Sequence, residues 1–430
     1  MNANTDTIFA VASGQPPAAI AIMRISGPGA MTAAARLAGK LPPPRQAGLC
    51  ALHDPETGML LDRAIVLTFP GPNTATGEDL AELHLHGGRA VIAVVTGALA
   101  CMAGLRPAVA GEFTRRALMA GRIDLAAAEG LGDLLMAETE GQRRAAMAAV
   151  DGIVSRAVGG WGSRLVGIAA HVEAMLDFSD EDDVEEMPID AVQSAVAGLA
   201  GDIAQVLAAP PVERLRDGVR LVLAGPPNSG KSTLLNALVD RDAAIVSPIA
   251  GTTRDRIEAP IIRDGIAYLV TDTAGLAVTT TDPIEAIGID RARQAMAAAD
   301  ILLWLGDDPP PGGQPALWLW PRADDRGSMP PSDRLAVSAL RGAGMAVLWT
   351  EIANAAMALL PRDDQLALNQ RQRLLCQTCQ AALVAIAGEQ DLLIIAEQLR
   401  LARQALDRVT GTTDVEAMLD ALFGQFCIGK

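Results

Sequence analysis

The chain has 430 residues, half of them hydrophobic but only 3% aromatic, and a formal charge of −16. That supply of apolar side chains is ample for two or three domains with Ala-, Leu-, Val- and Met-rich cores. The acidity excludes broad, charge-driven coating of nucleic acid: an RNA partner must be held by a local basic patch or by a second protein.

The N-terminus, MNANTDTIFAVASG, lacks the basic segment and long apolar segment of a signal peptide. Residues 1–117 read as mixed α/β. Short Ile/Val runs at Ala19–Ile25 and Ala64–Phe69 and the alternating Leu80–Leu85 predict strands, with helices at Met31–Ala38 and Ala90–Ala103 between them. Residues 118–217 turn helical and Ala-rich, with apolar spacings of three and four at Leu125–Met136 and Ala145–Val150. The acidic run Asp177–Glu186 reads as a solvated loop.

Residues 218–350 return to strand–helix alternation, with strands at Val219–Ala224, Ala267–Thr271 and Ile301–Leu305, which predicts a largely parallel sheet. Asp307–Gln314 is too rich in Pro and Gly for regular structure. From 351 to 430 the chain is helical again, strongly so over Leu392–Leu406. The simplest architecture inserts the α/β domain of 218–350 into one helical domain, whose halves then pack together. No apolar run of about 18 residues appears, so no transmembrane helix is expected. Five scattered cysteines, Cys50, Cys101, Cys376, Cys379 and Cys427, argue against a disulfide framework and for a reducing cytoplasm.

The chemistry lies in the inserted domain. Gly225-Pro-Pro-Asn228-Ser229-Gly230-Lys231-Ser232-Thr233 follows a strand and opens a helix, the setting of a phosphate-binding loop. Lys231 is placed for the β- and γ-phosphates and Ser232 for magnesium, with the helix N-terminus facing the same anion. Gly251-Thr252-Thr253-Arg254-Asp255 suits a switch whose threonine ligates magnesium. Asp272-Thr273-Ala274-Gly275 then supplies a carboxylate to the metal through water and an N–H to the γ-phosphate. Three boxes in this order indicate a GTPase, with a P-loop ATPase as the nearest alternative. Base recognition is less regular. Pro321-Arg322-Ala323-Asp324 stands where Asn-Lys-x-Asp is usual, so guanine preference falls mostly to Asp324, with Ser338 and Ala339 near the guanine O6. Leu276 occupies the position where Ras-like enzymes orient water with glutamine. Cys376-Gln-Thr-Cys379 lacks the second pair of a zinc ribbon and reads as two packing cysteines; His84 and His86 share a strand face without further ligands.

The motifs together resemble the tRNA-modification GTPase family known as MnmE or TrmE. The resemblance rests on Arg24-Ile25-Ser26-Gly27, on Phe69 to Asp79 (FPGPNTATGED), on His86-Gly87-Gly88, on Gly111-Glu112-Phe113-Thr114, on Asn228, on Ala250 to Asp255, and on the terminal Cys427-Ile428-Gly429-Lys430. It implies an N-terminal α/β domain that dimerises and binds 5-formyl- or methylene-tetrahydrofolate, a helical domain, and an inserted Ras-like G domain. It also implies a homodimer that works with the FAD-containing MnmG (GidA) protein. The pair would place an aminomethyl or carboxymethylaminomethyl group on C5 of the tRNA wobble uridine. Hydrolysis would be stimulated by K+ as the G domains meet. By the same resemblance Asn228, Ser247, Ile249 and Thr252 hold potassium, and Ser232 and Thr253 hold Mg2+. Ser247, Pro248, Ile249, Ala250 and Gly251 line the nucleotide, and Glu285 orients water. Arg24, Glu82, Arg122 and Lys430 bind folate, with Cys427 beside it as a nucleophile or a packing thiol. The family's lysine is replaced by Arg122, which keeps the charge and changes its geometry. Two other functions share the nucleotide boxes: a ribosome-assembly GTPase with an RNA-binding module, and a regulator that binds nucleotide without turnover.

Overall fold

The computed structural model describes residues 6–177, 188–240, 244–245, 258–273, 292–312, 315–327, 329–362, 365–412, 424 and 429. The chain forms two compact units, Met1–Gly132 with Thr410–Lys430, and Asp133–Val409.

In the first unit six strands form one sheet: β1 (Thr7–Val11), β2 (Ile20–Ser26), β3 (Gly48–His53), β4 (Leu60–Phe69), β5 (Leu80–His86) and β6 (Leu105–Pro107). Their order is β3-β4-β5-β2-β1-β6, antiparallel except for the β1–β6 pair. Period-two alternation sends Met23, Ile25, Ala64, Val66, Leu83 and Leu85 to one face, where helices Ala30–Ala38 and Arg89–Ala100 cover them. Each fully buried Leu, such as Leu37 or Leu99, contributes about 1.5–3 kcal/mol. The other face leaves Ile20, Leu49 and Ile65 exposed. The sequence located β2, β4 and β5 and both helices to within a few residues; it did not mark β1, β3 or β6.

In the second unit, helices Glu140–Val150, Ile153–Asp177, Ile189–Ala208, Gln370–Ala385 and Leu392–Thr410 flank an α/β domain. Two of them begin with capping boxes. The Thr139 hydroxyl accepts from Gln142 N and the Asn369 amide oxygen from Gln372 N, and each glutamine returns the bond. Helices on the two sides of the insertion do pack together: Ile189–Ala208 lies against Gln370–Ala385. Arg373 donates to the carbonyls of Leu207 and Ala209, and Arg371 to those of Arg408 and Val409, so one helix start closes two helix ends. Where the chain leaves for the insertion it is tied to where it returns, by Val212 N to Leu368 O at 3.3 Å and by Gln370 N to the Glu213 carboxylate. The Gln142 amide donates to Leu215 O and Arg216 O, both at 3.0 Å, just before the first inserted strand.

Cys376 and Cys379 are fully buried on one helix, and burial pushes their thiols up to about 11 and about 12, as packing cysteines require. The segment Ile189–Arg216 has the length and hydropathy to cross a membrane. Its Val192, Val196, Leu199 and Ile203 are buried within the protein, while most of the apolar stretch is not.

The inserted sheet runs β13-β12-β11-β7-β10-β9-β8, from β7 (Val219–Ala224), β8 (Ala244–Ile245), β9 (Glu258–Arg263), β10 (Ile266–Asp272), β11 (Ile301–Trp304), β12 (Ala316–Pro321) and β13 (Leu335–Val337). The five strands from β13 to β10 are parallel, and β9 and β8 continue antiparallel. Continuous apolar runs such as that of β7 reflect burial on both faces. The expected boundary between 350 and 351 falls inside helix Met345–Leu359, whose Leu348, Trp349, Ile352 and Ala356 belong to the core of this sheet.

Candidate active site

Parallel strands deliver their C-terminal ends to one edge, which is where ligands bind open α/β sheets. β7 is followed by Gly225, whose φ is 150°; a Cβ there would lie 3.1 Å from the backbone of Leu305, the residue after β11. Asn228 and Gly230 take left-handed φ values of 60° and 99°, the backbone that bends successive N–H groups around an anion. Helix Lys231–Asp240 starts immediately after.

Lys231 is buried, and its ammonium donates to Gly225 O at 2.9 Å and Pro226 O at 2.8 Å. Burial holds its pKa below 10.5, with the Asp272 charge opposing that shift. Ser232 Oγ donates to Asp272 Oδ2 at 2.7 Å. The next residue, Thr273, pins β10 to β7 by donating to Leu223 O at 2.9 Å. A hydroxyl and a buried carboxylate, both oxygen donors within one bond of each other, suit a hard cation such as magnesium. The sequence thus assigned to one place residues 40 positions apart, and the structure brings them into contact.

At the base end, β12 stops at Pro321 and Arg322 turns left-handed, with φ of 56°. Arg322 Nη2 donates to Asn228 O at 2.8 Å and so ties the base loop to the phosphate loop. Sequence reasoning gave Arg322 no role, although its place as the basic residue two positions before Asp324 was the available signal. Asp324 meets the Ser338 hydroxyl, a contact the sequence did not announce. The Ser338 hydroxyl, then Asp324's own N–H and the Arg341 guanidinium at 3.5 Å, hold its carboxyl below 3.8. Ala339 follows in the same turn. Ser247, Pro248, Ile249, Ala250, Gly251, Thr252, Thr253, Ala274, Gly275, Glu285, Cys427 and Lys430 lie outside the described residues, as do Leu276 and most of the acidic run 177–186.

In the first unit, the register opposes Arg24 of β2 to Glu82 of β5. Arg24 Nη2 donates to Glu82 Oε1 at 2.9 Å, and its guanidinium sits 5.9 Å from the Phe113 ring centre. His84 approaches the other Glu82 oxygen at 3.4 Å, and His86 pairs with Asp62 at 2.7 Å. Among the described residues no three His, Cys, Asp or Glu side chains gather as a metal site. Arg122 stands by the loop before β5. Gly77, with φ of 79°, lets that loop approach, since a Cβ there would lie 2.7 Å from Ala120 Cβ, with Arg122 Cγ 3.5 Å away. Two motifs noted separately in the sequence also converge. Glu78 and Glu112 both bind the buried Arg116, which further bonds Asp6 at 2.9 Å. Glu78 in turn accepts from Ser26 at 2.8 Å, fixing the loop of residues 70–79 onto β2.

Comparison with known proteins gives matches over the whole chain. Residues 7–122 match the family model for the GTP-binding protein TrmE N-terminus, and residues 125–427 match the MnmE helical domain. Proteins named tRNA modification GTPase MnmE are similar throughout. That of Rhizorhabdus wittichii is 56% identical, covering 99% of this chain and 97% of its own. That of Erythrobacter litoralis is 53% identical, covering 99% of this chain and all of its own, 100%.

Proposed function

The chain belongs to the MnmE family of tRNA-modification GTPases, and from that premise we propose how its own residues divide the work. The protein hydrolyses GTP and acts in modification of the tRNA wobble uridine. The observation that carries this for the present chain is the contact of Ser232 with Asp272 beside the buried Lys231, which fits the phosphate and magnesium end of a nucleotide.

In our reading Lys231 exchanges its two loop carbonyls for phosphate oxygens when GTP enters. Ser232 and Thr253 ligate Mg2+, while Asp272 holds it through water. A cation on the phosphates offsets charge that develops in the loose transition state. For the potassium that supplies this second charge, Asn228, Ser247, Ile249 and Thr252 are the ligands. Asn228 is suited to the task because its backbone is held from behind by Arg322. Glu285 orients the attacking water, a task Leu276 cannot perform. Asp324 accepts the guanine N–H groups, with Ser338 and Ala339 at the guanine O6.

Folate binding falls to Arg24, Glu82, Arg122 and Lys430. The paired Arg24 and Glu82 offer donor and acceptor side by side, which suits a pterin amide edge. Support for the tail's part comes from Gly429, whose φ is 105° and whose Cα lies so close to β1 that a Cβ would stand 2.1 Å from Val11 O. The half-exposed sheet face with Ile20, Leu49 and Ile65 supports a homodimer of this unit. The FAD-carrying MnmG protein and tRNA complete the assembly, in the cytoplasm.

The test is GTP hydrolysis in potassium against sodium buffer, for the wild type and Asn228→Ala. Strong potassium stimulation that the variant loses supports this assignment. Equal, robust rates in both salts overturn the potassium mechanism and redirect attention to a partner-activated GTPase.

A further inference from the structure

Pro321 leaves the base loop without the side-chain amide that an asparagine would use to anchor it, so something else must hold Asp324. Beside the loop stands a stack of alternating rings and guanidinium groups. Trp318 and Trp320 point to the same side of β12, two residues apart. The Arg334 guanidinium lies 4.1 Å from the Trp318 ring centre and 5.4 Å from that of Trp320; Arg326 lies 4.1 Å from Trp320. Asp307, just after β11, accepts from Arg326 at 2.9 Å and from Arg334 at 3.4 Å, and its carbonyl accepts from Arg334 at 2.7 Å. The Trp318 indole donates to Gly306 O at 2.8 Å, closing the stack onto the same loop.

The stack reaches the base loop through Arg326. Its backbone N–H and that of Asp325 both donate to Arg322 O, at 3.2 and 2.9 Å, forming the turn that carries Asp324. Trp320 Nε1 is buried with no hydrogen-bond partner among the described residues. Such an N–H is costly to bury, so the ring is held there for its face rather than for its donor. Indole is the best of the aromatic faces for a cation, and a shared carboxylate fixes the geometry of the two guanidinium groups.

We propose that Arg326, stacked on Trp320 and tied to Asp307, is a positioning residue for guanine recognition that replaces the anchoring lost at Pro321, with Arg334 and Trp318 supporting it. The proposal rests on Asp324 being the base-reading carboxylate, as set out above.

The experiment compares the affinity of the full chain for GDP and for IDP, which lacks the exocyclic amine that Asp324 would bind. Asp324→Asn serves as the reference for loss of that contact. In Arg326→Ala the preference for GDP over IDP should fall by about tenfold, the worth of one charge-assisted bond, while IDP, which keeps only the N1–H contact to Asp324, loses less affinity than GDP. Arg326→Lys, which keeps the cation on the ring, should restore part of the preference. Adding Arg326→Ala to Asp324→Asn should reduce it no further. Trp320→Phe provides a milder variant should the alanine variant not fold, with an intermediate loss expected. An Arg326→Ala protein that keeps the wild-type preference, or that loses GDP and IDP affinity equally, overturns the proposal. A wild type with no preference overturns it too, and identifies Asp324 itself as the wrong assignment.

Discussion

Lys231→Met tests the phosphate site where stability and binding pull apart. In the ligand-free loop the ammonium makes two hydrogen bonds to carbonyls, at 2.9 and 2.8 Å, and their loss costs about 2–3 kcal/mol at about 1–1.5 kcal/mol each. Against this, methionine removes an ammonium whose charge burial disfavours, which offsets part of that loss. The ligand-free variant should therefore melt within about 3 °C of the wild type. Binding has no such compensation. Two charge-assisted bonds to phosphate oxygens are worth about 3 kcal/mol or more together, so the dissociation constant should rise by at least ~100-fold. At a GDP concentration about 100 times the wild-type constant, nucleotide adds about 2.7 kcal/mol to the wild type and only about 0.4 kcal/mol to the variant. Differential scanning fluorimetry with and without Mg-GDP reads both numbers. A variant that keeps the wild-type GDP shift would refute the placement of Lys231 on the phosphates. A ligand-free variant that melts ~10 °C lower would refute the balance of terms.

Other expectations concern the first unit and the thiols. Burial raises the Glu112 carboxyl, but Arg106, the Val109 N–H and Arg116 outweigh it and hold it below 4.5. Its stabilisation is thus complete above the unfolded value and is lost as pH falls through the folded one. Glu112→Gln should destabilise the unit by roughly 3 kcal/mol at pH 7, with the gap narrowing as the solution is acidified below about pH 4, followed by urea titration at several pH values. Gly77→Ala puts a Cβ 2.7 Å from Ala120 Cβ at a left-handed φ, costing about 1–2 kcal/mol. Relief of that clash must move Ala120 and with it the adjoining Arg122, so calorimetry should find tetrahydrofolate binding weakened several-fold with GDP binding unaltered. Thiol alkylation of the native protein at pH 8 should label the exposed Cys101 and spare Cys376 and Cys379 until denaturant is added, as mass spectrometry of the peptides would establish.

What the sequence made legible followed from strong local patterning. β7 is a run of buried aliphatics before a glycine loop, and its limits, Val219–Ala224, were read without error, as were those of helix Leu125–Met136. β12 escaped because its residues Trp318, Trp320 and Pro321 are poor markers of a central parallel strand: the two Trp are half-buried under arginines 6 to 16 positions away, a long-range arrangement. β13 and β6 have three residues each, too few to show any period. At the site, Lys231, Ser232 and Asp272 were singled out because each sits in a fixed motif, and the fold places them together. Arg322 was missed because its bond is to a backbone carbonyl of another loop, which no side-chain pattern announces. The convergence of Glu78 and Glu112 on Arg116 was likewise invisible, since each carboxylate alone resembles an ordinary surface charge.

The chain leaves the helical layer and rejoins it at neighbouring points, where Val212 meets Leu368 and Glu213 meets Gln370. Topologically the nucleotide-binding part is therefore a cassette on one stem. Bridging that stem with a few residues would close a short loop in place of a whole domain, at little entropic penalty, because closure depends only on the logarithm of loop length. Evolution could have installed the cassette by the same route, as one insertion between two helices already in contact. The stem is also bound to the helical layer from the side, where the Gln142 amide donates to Leu215 O and Arg216 O just before the first inserted strand.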